Sequence, residues 1–189
     1  MSKIIKQRER GSLIVVSGPS GCGKGTVIQE FLKNNKDAWL SISCTSRDPR
    51  PGDVPNESYF FFSRDEFLEK IDREEFLEYA EYNGNYYGTS IDSILDNCVI
   101  DLEPNGLKAF EEKIGDKIYS IFLDVSDEER LRRGIARGDD PEVIKSRIEE
   151  EKELFTDKVK LSVDFLIRDL KREEVDMVIE NNIDVLFTK

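Results

Sequence analysis

A short apolar run, Leu13–Val16, passes through Ser17 into Gly18-Pro19-Ser20-Gly21-Cys22-Gly23-Lys24-Gly25-Thr26, and few folds accommodate that succession. Three of its four residues are β-branched, which suits a strand buried on both faces. Beyond Thr26, residues Val27, Ile28, Phe31 and Leu32 recur at helical spacing. Between strand and helix lies the pattern GxxxxGK. Glycines at 18, 21 and 23 let the backbone turn with its N–H groups inward, and the positive end of the following helix adds to them, so the loop can cradle an anion. Lys24 brings a mobile charge to the outer phosphates. An ordinary strand-to-helix turn with an exposed lysine would not need all three parts in this order.

Composition sets the boundary conditions for such a loop. The chain has 28 Lys plus Arg against 40 Asp plus Glu, a net charge of -12, and a surface of that sign repels nucleic acid and anionic lipid. A phosphate site must therefore be a local basic pocket. Its 189 residues make one domain, with room for small insertions and a proper core. Cys22, Cys44 and Cys98 are odd in number and far apart, and there is no histidine, so a disulfide framework, a usual zinc site and a histidine base are all excluded. The basic start, with Lys3, Lys6, Arg8 and Arg10, leads into no secretory apolar core, and no run reaches membrane length; a cytoplasmic enzyme is expected.

Gly25 stands where the motif ordinarily has the Ser or Thr that ligates Mg²⁺, with Thr26 one place later. This resembles the variant loop of adenylate kinases, which implies that Mg²⁺ is held mainly through water and the nucleotide. Further on, Trp39–Ser43 reads as a strand. It leads into Ser43–Asp53, whose prolines and glycine forbid a regular element and hold Arg47 and Arg50 on constrained backbone beside hydroxyls. That suits a second phosphate, although a solvated charged turn would have the same composition.

Ser43–Asp53, Tyr59 and Gly84-Asn85-Tyr86-Tyr87-Gly88-Thr89, taken with the upstream loop, resemble the nucleoside-monophosphate-binding segment of guanylate kinases. The likeness runs from Leu13 to Asp169. It implies that Gly18–Thr26 binds ATP, including Pro19, Ser20, Cys22 and Gly25 of the loop. It also implies that Tyr59 and Tyr87 direct hydroxyls at the GMP phosphate beside Arg47 and Arg50, a phosphate being the planar-fork target arginine favours.

Tyr59–Phe62 reads as a strand, Ser63-Arg64-Asp65-Glu66 as a capping box opening a helix, and Phe76–Tyr82 as a strand turning at Asn83-Gly84. On the last strand Glu78 is the candidate for reading the base. A carboxylate accepts from the N1–H and N2–H₂ edge of guanine and is left unpaired by adenine. Ser43 and Thr89 join it by the same resemblance, Ser43 as a donor to the guanine O6.

A short helix is expected within Ile91–Asn97, then a strand Cys98–Leu102. Asp101 and Glu103 end that strand on one face, at the carboxyl edge where α/β sheets bind ligands. The resemblance implies that one of the pair assists Mg²⁺ in its water shell, Asp101 being the candidate, while the other sits near guanine. Glu103 stands in for the family's second aspartate and leaves the assignment open.

Leu107, Phe110 and Ile114 read as a core face, Ile118–Asp124 as a buried strand, and Ser126–Glu129 as a second capping box. Asp140-Pro141 reads as an N-cap with proline at the first helical position. The resemblance makes the basic segment between them a lid and assigns Arg133, Arg137 and Arg147 to it, while Arg130 and Arg132 read as a solvated face. Phe165–Ile167 is the last expected strand, Arg168-Asp169 follows where the family has Asn-Asp near adenine, and Val175, Val178, Ile179 and Ile183 form a helical stripe.

The expected fold is a three-layer α/β/α domain with a parallel sheet. Its core takes residues 1–40, 90–126 and 141–189, with an acceptor-binding segment at 41–89 and a lid at 127–140. The implied reaction is γ-phosphoryl transfer from ATP to GMP, or dGMP, with Mg²⁺, Lys24, Arg133, Arg137 and Arg147 carrying charge stabilisation. Two other readings remain: a non-catalytic interaction module of the same fold, and a kinase for a different small phosphate.

Overall fold

The computed structural model describes residues 13–49, 52–82, 84–94, 98–102, 104–114, 118–160 and 162–169. Arg50, Glu103 and the stripe Val175–Ile183 lie outside them.

Strand β1 (Leu13–Ser17) is buried at every residue. It pairs in parallel over its whole length with β7 (Cys98–Leu102) on one side and β8 (Ile118–Asp124) on the other. Outer strands β2 (Trp39–Leu40) and β9 (Phe165–Arg168) complete a five-stranded parallel sheet in the order β2-β7-β1-β8-β9.

Alternation along β1 divides the core in two. Ile14 and Val16 pack with Val27, Ile28 and Phe31 of helix α1 (Lys24–Asn34). Leu13 and Val15 pack on the opposite face with Leu107 and Phe110 of α3 (Pro104–Ile114). Helices on both faces are what a parallel sheet with near-continuous apolar strands requires, each fully buried side chain contributing about 2 kcal/mol.

A second sheet, in the order β4-β3-β6-β5, is built from β3 (Cys44–Thr45), β4 (Phe60–Phe61), β5 (Phe76–Tyr82) and β6 (Asn85–Ser90). Helix α2 (Arg64–Asp72) covers it. The expected capping box is complete there: Ser63 accepts from the Glu66 N–H, and the Glu66 carboxylate accepts from the Ser63 N–H. Phe67 is the centre of the small core, stacked on Phe76 at 4.4 Å and on Tyr86 at 5.5 Å between ring centroids.

The sequence reading of Trp39–Ser43 as a single strand is corrected. Ser41 N–H still donates to Val99 O at 2.8 Å, but the chain then leaves the parallel sheet and joins the small one at Cys44. It returns after β6 through a 3₁₀ turn, Ile91–Ser93, at the start of the expected short helix, whose residues 95–97 lie outside the described ones. The Ser41 and Ser93 hydroxyls meet at 2.9 Å, so the two crossings lie side by side.

Helices α4 (Asp127–Arg137) and α5 (Pro141–Glu151) form an antiparallel pair joined by Gly138–Asp140. Asp140 caps α5 as expected, accepting from the Glu142 N–H at 2.8 Å. Gly134 allows the close approach, since a Cβ there would lie 2.5 Å from Ile144 Cδ1. At Ser126 only half of the expected box forms: its hydroxyl accepts from the Glu129 N–H, while the Glu129 carboxylate is turned to Arg132 and Arg133. A one-turn helix, α6 (Asp157–Lys160), precedes β9. No helix among the described residues is long and apolar enough to cross a membrane.

Candidate active site

Strand β1 delivers the glycine loop at the carboxyl edge of the sheet, and α1 starts directly after it. Gly23 occupies the N-cap position at φ 106°, so no side chain covers the first N–H groups of the helix. Gly18 has no alternative: a Cβ would lie 2.8 Å from Leu123 O, and φ is 148°. Three loop carbonyls are turned to cations. Gly18 O accepts from Lys24 Nζ at 2.7 Å, Ser20 O from Arg130 Nε at 2.8 Å, and Cys22 O from Arg133 Nη1 at 2.9 Å.

Asp101, on the neighbouring strand, stands 3.9 Å from Lys24 Nζ with 45% of its side chain open. Desolvation in the cleft pushes its carboxyl above the ordinary value, and Lys24 opposes the shift. Cys22 is buried to 1%, and that burial raises its thiol pKa against the pull of Lys24. A raised pKa means less thiolate at any given pH. Iodoacetamide at pH 8 is therefore expected to leave Cys22 unmodified in the native protein and to label it in urea, read by mass spectrometry. Rapid native labelling would contradict this account.

Above the loop, Arg133 also donates through Nε to Glu129 Oε1 at 2.8 Å. Hydrogen bonds from Arg132 and then Arg133 hold the Glu129 carboxyl down at about 2. Arg137 pairs with Asp139, whose carboxyl is lowered by that bond and by the charge of Arg147. Arg137 and Arg147 share a cleft with Ser20, Gly21 and Arg130. The reading of Arg130 as solvated is corrected, since it is 4% exposed and bonded to the loop; Arg132, at 69%, is exposed as expected. The signal was the spacing of Arg130, Gly134 and Arg137, which share one helical face.

The small sheet carries a second cluster. Arg47 is 9% exposed, pairs with Asp53 Oδ2 at 2.9 Å, and lies 5.5 Å from the ring centroid of Tyr59 and 5.7 Å from that of Phe61. Tyr59 meets Tyr87 edge-on at 6.1 Å. Burial first, and then the charge of Asp101, raise the Tyr59 hydroxyl pKa. Asp53 went unnoticed in the sequence because a loop containing proline and glycine does not reveal which of its charges pair.

Glu78 faces Thr89 across β5 and β6, and the Thr89 hydroxyl donates to Glu78 Oε1 at 2.6 Å. Its other oxygen rests against the first turn of α3, where a Cβ on Gly106 would lie 3.2 Å away. Ser43, half-buried, accepts the Phe60 N–H through its carbonyl at 2.9 Å. Arg50 and Glu103, the remaining expected members, fall outside the described residues.

A glycine loop issuing from the central strand of a parallel sheet into a helix N-terminus is the P-loop arrangement, whose backbone N–H groups suit nucleotide phosphates. Comparison narrows the class. The model of the guanylate kinase family matches residues 10–184, and the chain belongs to that family. It is 40% identical over 200 residues to guanylate kinase of Lactococcus lactis, covering 95% of this chain and 97% of that one. To guanylate kinase of Clostridium tetani it is 42% identical over 140 residues, covering 71% and 67% respectively. The crystal structure of guanylate kinase from Anaplasma phagocytophilum superposes with a TM-score of 0.69 at 27% identity, covering 96% of this chain and 89% of that one.

Proposed function

We propose that the protein transfers the γ-phosphoryl group of ATP to GMP, giving ADP and GDP, by direct in-line displacement. The observation that carries this reading is the Glu78–Thr89 pair on the small sheet to which Tyr87 belongs and which Arg47 and Tyr59 flank. It combines a carboxylate for the guanine edge with a guanidinium and two phenols for a phosphate.

Residues 41–89 serve the acceptor and 127–140 the lid, while 1–40, 90–126 and 141–189 form the core that carries the phosphate loop. Gly18–Thr26 binds ATP, with Lys24, Arg133, Arg137 and Arg147 stabilising charge on the transferring group. Ser43, Arg50, Asp101 and Glu103 complete the GMP site as the family resemblance implies. A GMP phosphate oxygen is already ionised at neutral pH, so no general base is needed, and catalysis consists of positioning and charge stabilisation.

Among the described residues no group of three or more His, Cys, Asp or Glu could cage a metal. The donor beside the loop, Asp101, is a hard oxygen ligand that suits Mg²⁺ brought in on the nucleotide and held largely through water. Mg²⁺, when bound, neutralises charge across the β- and γ-phosphates. Asp101 would hold its water shell, and Lys24 would orient the same phosphates. The partners are free nucleotides, in the cytoplasm.

The test is ADP release from Mg-ATP with GMP, dGMP, AMP, UMP or no acceptor. GMP-dependent turnover far above that with AMP is the expected result. Turnover with another acceptor would move the error to the base pocket, and GMP binding without turnover would favour a non-catalytic module.

A further inference from the structure

Arg130 is the most buried arginine among the described residues, at 4% exposure. Each of its three guanidinium nitrogens donates a hydrogen bond. Nε donates to Ser20 O at 2.8 Å, Nη1 to Asp127 Oδ1 at 3.0 Å, and Nη2 to Glu151 Oε2. Glu151 ends α5, is itself 14% exposed, and accepts the Ser20 N–H at 3.1 Å through Oε1 and 3.3 Å through Oε2. Both backbone groups of one loop residue are thus gripped by a buried ion pair from the two helices α4 and α5.

Ser20 is a sensitive point in the loop. Cys22 N–H donates to Pro19 O at 3.2 Å, closing a turn with Ser20 and Gly21 at its centre, and Gly21 has φ 80°. A positive φ at the third position marks a type II turn, which differs from type I by a flip of the central peptide. That peptide joins Ser20 to Gly21. In a trans peptide C=O and N–H point opposite ways, so whatever holds Ser20 O also directs Gly21 N–H.

We propose that Arg130, braced by Glu151, is a positioning residue that fixes the central peptide of this turn, so that Gly21 N–H stays directed away from the helices and available to a nucleotide phosphate. The inference rests on the loop being the nucleotide site. Fold stability alone gives little reason for the pair, since apolar side chains of similar volume fill such a space at no net cost. The charges are spent on a loop peptide. Because the same helices carry Arg133, Arg137 and Arg147, the turn and those arginines also share one frame.

The test uses the full chain with Arg130→Met combined with Glu151→Met, which removes both charges together and leaves Asp127, 54% exposed, solvated. Arg130→Lys is the second variant, keeping the charge without the Nε donor. Mg-ADP and GMP affinities are measured separately by calorimetry, with thermal melts as the folding control. Expected are cooperative melts, an Mg-ADP Kd raised at least threefold in both variants with KM for ATP following, and GMP affinity changed less than twofold.

A folded variant that binds Mg-ADP within threefold of wild type overturns the proposal, as does a loss of GMP affinity in step with ADP. Should the double variant not fold, Arg130→Lys decides by the same criteria. The readout is independent of the acceptor. Wild type that binds Mg-ADP without GMP-dependent turnover would overturn the acceptor reading alone, while wild type that does not bind Mg-ADP overturns both.

Discussion

Lys24→Ala is expected to lower kcat by about 10²–10³-fold, the typical cost of removing one preorganised group that meets charge developing in the transition state. Its ammonium reaches back to Gly18 O at 2.7 Å and lies 3.9 Å from Asp101, so it is held at the mouth of the loop before any nucleotide arrives. Folding should tolerate the change, because 45% of the Asp101 side chain is open and its carboxyl, raised further without Lys24, can take up a proton. The lost hydrogen bond costs about 1 kcal/mol. Steady-state kinetics with a thermal melt on the same preparation distinguishes the two effects. A kcat within tenfold of wild type, in a folded protein, would remove Lys24 from the chemistry.

The second large effect is expected at Glu78→Gln. The glutamine oxygen can still accept from Thr89, whose hydroxyl lies 2.6 Å from Oε1, so the sheet should close unchanged. The second oxygen becomes an amide donor, which meets the N–H edge of guanine donor to donor. Hydrogen bonds to charged groups are worth about 1.5–3 kcal/mol, so kcat/KM for GMP should fall by about 10²-fold. Any turnover with AMP should be unchanged by the substitution, compressing the GMP/AMP ratio. Equal losses on both acceptors would mean that Glu78 only supports the sheet.

The glycine loop was readable from sequence because everything it needs is local. Positive φ at Gly18, Gly21 and Gly23, a lysine and the change from strand to helix period all lie within a few residues. The capping boxes are local too, yet Ser63 completes its box and Ser126 does not, because two arginines on the next turns take the Glu129 carboxylate. The break between β2 and β3 was not legible, since leaving one sheet for another depends on which partner strand is alongside.

Arg130 shows the same limit more sharply. On a helix mixing Glu and Arg it looks solvated, and only a carbonyl 110 residues upstream and a carboxylate 21 residues downstream bury it. Arg47 is expected at a phosphate, yet its loop does not reveal what buries it. Its burial comes from aromatic rings of β4 and its flank, whose positions are set by sheet pairing that the loop itself does not encode.

The contact between the Ser41 and Ser93 hydroxyls has a consequence for how such a chain can diversify. The small sheet leaves and rejoins the parallel sheet at neighbouring points, and between them Leu77 of β5 packs into the main core with Leu107 and Phe110 of α3. A loop with ends already held together costs the host little extra entropy however long it becomes. Exchange of the acceptor unit would have to match both the hydroxyl pair and the Leu77 contact on α3. A graft between Ser41 and Ser93 could recruit a new phosphate acceptor while the order β2-β7-β1-β8-β9, and with it the nucleotide loop, stays as it is.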